Sequence, residues 1–309
     1  MQSVTVVGSG IIGLTAASAL REKGFKVRVI SKEPLEKSLS FKVGAIWFPF
    51  EVHPIHKANE WGARAYERYK LELPVAEGIS FIPFMVVYTP ESNSKWVQRM
   101  PEGTVYKANK HELPSGIRAA YIANVPLAEP HKYLPYLKSR CEKSGVVFEQ
   151  RTISSLQEMS DLDELVINCT GLGSKELCSD EELIPMRGQI LRCLSMNIHS
   201  YVNSTKAGQL TYAIQRSEDL IIGGTDYLND WNEEANKRDA ELILDRFRAI
   251  GVTDQTPHIL EEKVGLRPRR SEVRFEFDSQ YSNVFHNYGH GGAGFTVGWG
   301  CALELADRY

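Results

Sequence analysis

Gly8, Gly10 and Gly13 lie between the apolar run Val4-Thr5-Val6-Val7 and an Ala-rich stretch with helical spacing. Glycines so placed let the chain turn tightly and bring backbone N–H groups within reach of a pyrophosphate. The helix that follows turns the positive end of its dipole on the phosphate charge. The chemistry this suggests is dinucleotide binding, with Gly8, Gly10, Ile11, Ile12 and Gly13 as the cradle. Strand-to-helix turns also use glycine for steric reasons alone, so the reading leans on its context. A second strand is expected over 26–31, followed by Lys32 and Glu33. A carboxylate about twenty residues beyond the last glycine could accept hydrogen bonds from a ribose 2′-OH, although a solvated charge after a strand is also common.

A second cluster, Gly289, Gly291, Gly292 and Gly294, precedes an apolar run expected to be helical from Thr296. Turns seldom need so many glycines, and close approach of backbone to a flat ligand beside a helix N-terminus is the better account. Arg267, Arg269 and Arg270 form a dense basic run beside an expected strand. The planar fork of arginine holds a carboxylate with two parallel charge-assisted hydrogen bonds, and any one of the three could do so while the others are solvated. His53 with His56, and His286 with His290, lack a third ligand on a regular element, so no metal site is expected.

The elements that would position these groups alternate strand and helix at both ends of the chain. A helix is expected over 54–71 on the spacing of Trp61, Ala65, Tyr66 and Tyr69, then short strands within 79–123, a helix over 126–143 and strands at 145–150 and 164–169. Strands over 186–194 and 209–223 and a helix over 233–250 complete the middle of the chain. The expected fold is α/β, a Rossmann-like dinucleotide-binding domain (1–42, 127–180 and 268–309) interleaved with an α+β domain (43–126 and 181–267) on a mixed or antiparallel sheet.

A net charge of −3 with scattered cations gives no sign of a nucleic-acid partner. No apolar stretch nears the ~20 residues that span a bilayer. Five cysteines without metal spacing suggest reduced, buried thiols. With no signal peptide and no peroxisomal Ser-Lys-Leu ending, a cytoplasmic location is expected.

The chain resembles the D-amino-acid oxidase family, which includes D-aspartate oxidase. The residues that carry the likeness are Gly8-Ser9-Gly10-Ile11-Ile12-Gly13, Val43-Gly44-Ala45-Ile46-Trp47, Pro54-Ile55-His56-Lys57, Asn168-Cys169-Thr170-Gly171, Arg187-Gly188-Gln189-Ile190, Gly223-Gly224-Thr225, Gly265-Leu266-Arg267-Pro268 and 286–302. The resemblance implies a non-covalent FAD enzyme that moves a hydride from the Cα of a D-amino acid to flavin N5. O2 reoxidises the flavin to give H2O2, and the imino acid hydrolyses to a 2-oxo acid and ammonia. It makes the first of the two expected domains FAD-binding and the second substrate-binding. It makes Arg267 the carboxylate clamp, Tyr212 its hydroxyl partner and Gly292 the carbonyl that accepts from the substrate amine. Val43, Gly44, Ala45 and Ile46 would line the flavin, with Thr170 and Gly171 near the phosphates and Ile153 near the adenine. Gly291, Gly292, Ala293, Gly294, Phe295 and Thr296 would complete the cofactor site. The implied partners are a D-amino acid and O2, and a homodimer is among the assemblies the chain allows.

Two departures bear on the substrate. Many family members carry a second tyrosine shortly before Tyr212, where this chain reads Lys206-Ala207-Gly208-Gln209. The aspartate enzymes carry an arginine where this chain has Asp226, which would repel an acidic substrate. Phe48 and Asp226 are the expected side-chain pocket, and neutral or varied D-amino acids, with basic ones open, are favoured over D-aspartate. A D-aspartate, glycine or secondary-amine oxidase is the alternative within the class. A nicotinamide dehydrogenase is disfavoured by the second glycine cluster, and a catalytically silent flavin protein is the reading from another class.

Overall fold

The structure, a computed structural model, describes residues 2–92 and 94–309. The chain begins with β1 (Ser3–Val7), α1 (Ile11–Glu22), β2 (Lys26–Ser31) and α2 (Ile55–Glu72), followed by β3 (Ile79–Val87), β4 (Val105–Lys107) and β5 (Ala120–Ala128). Next come α3 (Pro130–Lys143), β6 (Val147–Gln150), α4 (Leu156–Ser160), β7 (Val166–Asn168), α5 (Ser174–Leu177), β8 (Ile184–Leu194) and β9 (Ser200–Asn203). The remainder is β10 (Thr211–Gln215), β11 (Asp219–Gly223), β12 (Tyr227–Leu228), α6 (Lys237–Ile250), β13 (Ile259–Phe277), β14 (Val284–His290) and α7 (Gly294–Ala306).

Two compact units emerge, Met1–Ile79 with Ala128–Pro185 and Arg267–Tyr309, and Ser80–Leu127 with Met186–Leu266. The first has the strand order β14-β7-β1-β2-β6, all parallel, with the second half of β13 antiparallel to β14. Its central strands are covered on both faces, so Val4, Val6, Val166 and Ile167 are fully buried and read in sequence as unbroken apolar runs. Small residues let α1 and α7 approach closely, and Thr15 Oγ1 on α1 donates to the Gly298 carbonyl at 3.2 Å. On the same unit α2 buries Trp61, Ala65, Tyr66 and Tyr69 at helical spacing. Residues 43–79 belong here, although the sequence groups 43–126 with the substrate domain. The cause is tertiary, since a Cβ at Gly300 of α7 would overlap the Trp61 backbone of α2.

In the second unit the order is β4-β5-β3-β9-β10-β11-β8, with β12 pairing β8. All of these pairings that involve β8 or β10 are antiparallel, while β3 and β9 run parallel. Helix α6 lays Ala240, Ile243, Phe247 and Ile250 across this sheet, in one apolar cluster with Leu191, Tyr201, Leu220 and Ile222. It starts at Lys237 rather than at 233. Arg187, only 2% exposed, donates to the Asn232 and Glu234 carbonyls at 2.8 and 2.7 Å and to Asp239 Oδ2 at 2.7 Å. Those carbonyls are taken from any helix there, and Asn236 caps the first turn by accepting from the Arg238 N–H at 2.9 Å. Helix α3 likewise begins at Pro130, not at 126, because β5 continues through Ala128.

Candidate functional site

The glycine turn that is the candidate nucleotide cradle forms where β1 ends and α1 begins. A Cβ at Gly8 would overlap the Cys169 carbonyl, and one at Gly13 would overlap the Gly8 carbonyl, so both glycines exist for close approach of backbone to backbone. No side chain caps α1 at Gly10. The Ile11 N–H donates instead to Ser40 Oγ at 3.0 Å, which brings the 38–41 turn over the helix mouth. Ser38 Oγ is buried there with no hydrogen-bond partner among the described residues. An orphaned hydroxyl beside an uncapped helix N-terminus fits a phosphate-bearing group. Gly171, at φ +59°, has open space around it, while the Thr170 hydroxyl is engaged by Asn168 Oδ1 at 2.8 Å and Ser174 Oγ at 2.7 Å. Lys32 and Glu33 stand exposed after β2, and Ile153 packs with Val7, Ile30 and Val166 behind the strands.

The second glycine cluster differs from its expected form. Gly289 and His290 belong to β14, the turn proper is 291–293, and α7 starts at Gly294, so Gly294, Phe295 and Thr296 all occupy its first turn. A Cβ at Gly294 would stand 3.3 Å from Ile11 Cγ2. The N-termini of α1 and α7 are therefore neighbours, two positive dipole ends in one place. The segment 43–48 is held against them. Thr296 Oγ1 donates to the Phe48 carbonyl at 2.8 Å and accepts from the Phe48 N–H at 3.0 Å, and Trp47 Nε1 donates to the Gly62 carbonyl at 2.9 Å. Ala45 takes φ +55°, unusual for a residue with a side chain, and its carbonyl accepts from the Ala128 N–H at 3.0 Å. The Thr296 hydroxyl is thereby committed to Phe48, leaving its backbone for a ligand.

The basic run is not beside a strand but inside β13. Alternation along a strand sets Arg270 on the face opposite Arg267 and Arg269. Arg270 pairs with Asp180 at 2.9 Å and Arg269 faces Glu51 at 3.7 Å. Arg267 differs, because its Cδ lies 3.4 Å from where a Cβ at Gly292 would stand. The Gly291 N–H donates to the Pro268 carbonyl at 2.8 Å and locks the turn to that strand. Tertiary structure thus brings together Arg267, Gly292, Phe50 and the start of α7.

Within the second unit, Tyr212 lies opposite Gly223 in the β10–β11 pair. Its ring covers Gly223 and Gly224 so closely that a Cβ at Gly223 would overlap it. Asp226 Oδ2 accepts from the Gly208 N–H at 3.2 Å, and Oδ1 is buried without a hydrogen-bond partner among the described residues.

The histidines have other work. His286 bridges Asn168 Nδ2 at 3.1 Å and Asp278 Oδ2 at 3.0 Å. Burial pushes the His290 imidazole down to about 3 from 6.5, beside Cys301 Sγ at 3.7 Å. A histidine held neutral stabilises the fold fully above pH 6.5, and this contribution is lost as pH falls from 6.5 toward about 3, because the unfolded chain takes up the proton first. His290→Gln is predicted to flatten the fall of unfolding free energy over that window by about 1.4 kcal/mol per pH unit. Equal slopes for both proteins in pH-dependent chemical denaturation would count against it.

Ser38, Ser40 and Tyr69, whose hydroxyl donates to the Phe295 carbonyl at 2.9 Å, escape a reading of the sequence alone. No local pattern marks them, since Ser40 and Tyr69 reach their partners across a long loop or between helices and the Ser38 hydroxyl has none among the described residues.

A family model described as FAD dependent oxidoreductase matches residues 3–308. The chain is 37% identical to the D-amino-acid oxidase of Rubrobacter xylanophilus over 311 residues, 97% of this chain and 94% of that protein. It is 33% identical to the D-amino-acid oxidase of Streptomyces coelicolor, over 98% of this chain and 95% of that one. Glycine oxidase from Geobacillus kaustophilus shares the fold, with a TM-score of 0.78 over 100% of this chain and 95% of that one at 15% identity.

Proposed function

The chain belongs to the family of FAD-dependent oxidoreductases that includes the D-amino-acid oxidases, and from this we propose that it oxidatively deaminates D-amino acids with neutral or varied side chains. The observation that carries the reading is the meeting of Arg267 with Gly292 at the start of α7. It supplies a carboxylate fork and a backbone carbonyl for the ammonium group, the two recognition elements an α-amino acid needs.

FAD is the cofactor, and when bound it accepts the hydride from Cα and passes the electrons to O2. The uncapped first turn of α1, Ser38 and Ser40 would hold its phosphates, with Gly8, Gly10 and Gly13 giving them access. Val43, Gly44, Ala45 and Ile46 would line the ring, and the N–H groups of the first turn of α7 would stand at its electron-rich edge. Arg267 holds the substrate carboxylate, and the Tyr212 hydroxyl assists by donating a hydrogen bond to it. The Gly292 carbonyl accepts from the amine. With both α-groups held, orientation of the Cα–H becomes the main demand on the protein, and no strong general base is required.

No helix among the described residues is long and apolar enough to cross a membrane. The described thiols are all free, which accords with a cytoplasmic location.

Peroxide release from the purified holoenzyme across D- and L-alanine, D-aspartate, D-arginine, glycine and sarcosine tests the reading. D-alanine should be oxidised and L-alanine refused. Faster turnover of glycine or sarcosine would move the chain to the secondary-amine oxidases, and faster D-aspartate would overturn the reading of Asp226. The unpartnered Asp226 Oδ1 favours a second reading, acceptance of basic side chains. It requires Asp226→Asn to lose more activity on D-arginine than on D-alanine.

A further inference from the structure

Tyr212 can hold a carboxylate only if its ring is fixed, and it stands at the last pair of β10 with β11. β10 and β11 pair from Tyr212 with Gly223 to Gln215 with Leu220; Tyr212 also pairs with Val202 of β9 and Gly223 with Ile190 of β8, and past that last pair the Gly224 N–H still reaches the Leu210 carbonyl at 3.4 Å. Neither Gly223 nor Gly224 offers a side chain to pack against the ring, and the chain turns away at both ends. Past this pair the chain at Leu210 and Gly224 is buried, and backbone carbonyls there need partners.

Arg246 closes this end. It lies on α6 between Ile243 and Phe247, which are buried against the sheet, so the helix holds its base in place while the guanidinium reaches the carbonyls just beyond the β10–β11 pairing. Nη1 donates to the Leu210 carbonyl at 3.1 Å and to the Gly224 carbonyl at 3.3 Å, and Nη2 donates to the Gly208 carbonyl at 2.6 Å. Leu210 also receives the Gly224 N–H at 3.4 Å, and Gly208 gives its own N–H to Asp226. One guanidinium thus spans both strands on either side of Tyr212 and the turn before it. The planar, permanently charged fork suits this role, since its donors are spread over two terminal nitrogens, whereas the three donors of an ammonium all leave one atom.

We propose that Arg246 is a positioning residue for Tyr212, and that with Asp226 it makes the short 206–210 turn a fixed wall rather than a movable lid. The proposal rests on the carboxylate-binding role given to Tyr212 above. It predicts that carboxylate affinity depends on Arg246 only by way of Tyr212.

The test compares holoenzyme with Arg246→Met, Tyr212→Phe and the double variant, using propionate, which carries the carboxylate and no oxidisable amine, with binding read from flavin absorbance. Each single variant should weaken propionate by about tenfold, the effect of one lost hydrogen bond to a charged group. The double variant should be no worse than the weaker single, with FAD content unchanged. Losses that multiply in the double variant, or an Arg246→Met protein that binds propionate as wild type does, would overturn the proposal. Arg246→Lys should recover only part of the affinity, and full recovery would count against the three-carbonyl clasp. Backbone hydrogen exchange over 208–213 and 222–226 reads the clasp directly and should quicken in Arg246→Met, with unchanged exchange overturning it. A wild-type protein that neither binds propionate nor oxidises D-alanine would instead refute the proposed function, while the exchange measurement still judges the clasp.

Discussion

Replacing Arg267 by leucine should lower kcat/KM for D-alanine by about a thousandfold while FAD content and the flavin spectrum stay as in wild type. The size follows from what is removed. Truncating one partner of a buried, hydrogen-bonded charge pair costs about 2–5 kcal/mol, and about 1.4 kcal/mol is a factor of ten. Arg267 stands against the Gly292 turn, so losing its fork also loosens the aim of Cα. KM should therefore rise and kcat fall together, because misplacing a substrate costs rate as well as affinity. Lysine should restore only a fraction, since an ammonium supplies the charge without the two parallel hydrogen bonds. Steady-state kinetics on the three proteins decide the matter. A loss smaller than about fivefold in Arg267→Leu, less than 1 kcal/mol, would show that the carboxylate is held elsewhere. Arg269 and Arg270 make the natural controls, as they face Glu51 and Asp180.

Gly13→Ala should yield protein that retains little or no FAD. The new Cβ would overlap the Gly8 carbonyl, a backbone group with no rotamer to move into, so α1 must shift off the end of β1. Overpacking of that kind costs about 3 kcal/mol, or about a hundredfold in affinity if the strain falls on the cradle. Gly10→Ala is the calibrating variant. Its Cβ would meet only Ser40 Oγ at 3.0 Å, a side-chain hydroxyl that can turn aside, so FAD should be weakened but kept. FAD titration of the apoprotein by fluorescence measures both. Equal affinities in Gly13→Ala and wild type would remove the steric account of that glycine.

The local patterns were legible where one stretch of chain decides the outcome. The apolar run before Gly8, the glycines and the Ala-rich helix read correctly because a parallel strand buried on both faces and a helix starting at glycine are short-range patterns. The end of β14 and the start of α7 were misjudged by a few residues for the opposite reason. Gly289 looks like a turn in sequence, yet pairing with β13 keeps the strand going through His290. The 233–236 stretch looks helical, and Arg187, far away in the chain, takes its carbonyls.

The sequence by itself determined that a glycine turn at Gly8, Gly10 and Gly13 joins the first strand to the first helix, that a second glycine turn opens a last helix, and that an arginine in the 267–270 run could meet a carboxylate. These follow from residue types that only certain backbones tolerate and from charges with few uses. The tertiary structure alone placed the three arginines, since β13 brings Arg270 to Asp180, Arg269 to Glu51 and Arg267 against Gly292. It alone brought Ser38 and Ser40 to the mouth of α1, set the α7 N-terminus beside Ile11 and put Arg246 across the carbonyls around Tyr212. The physical reason is shared by all of them. Periodicity and glycine spacing act over one turn or one strand, whereas a hydrogen-bond partner is chosen by whichever distant segment the packing delivers within about 3 Å.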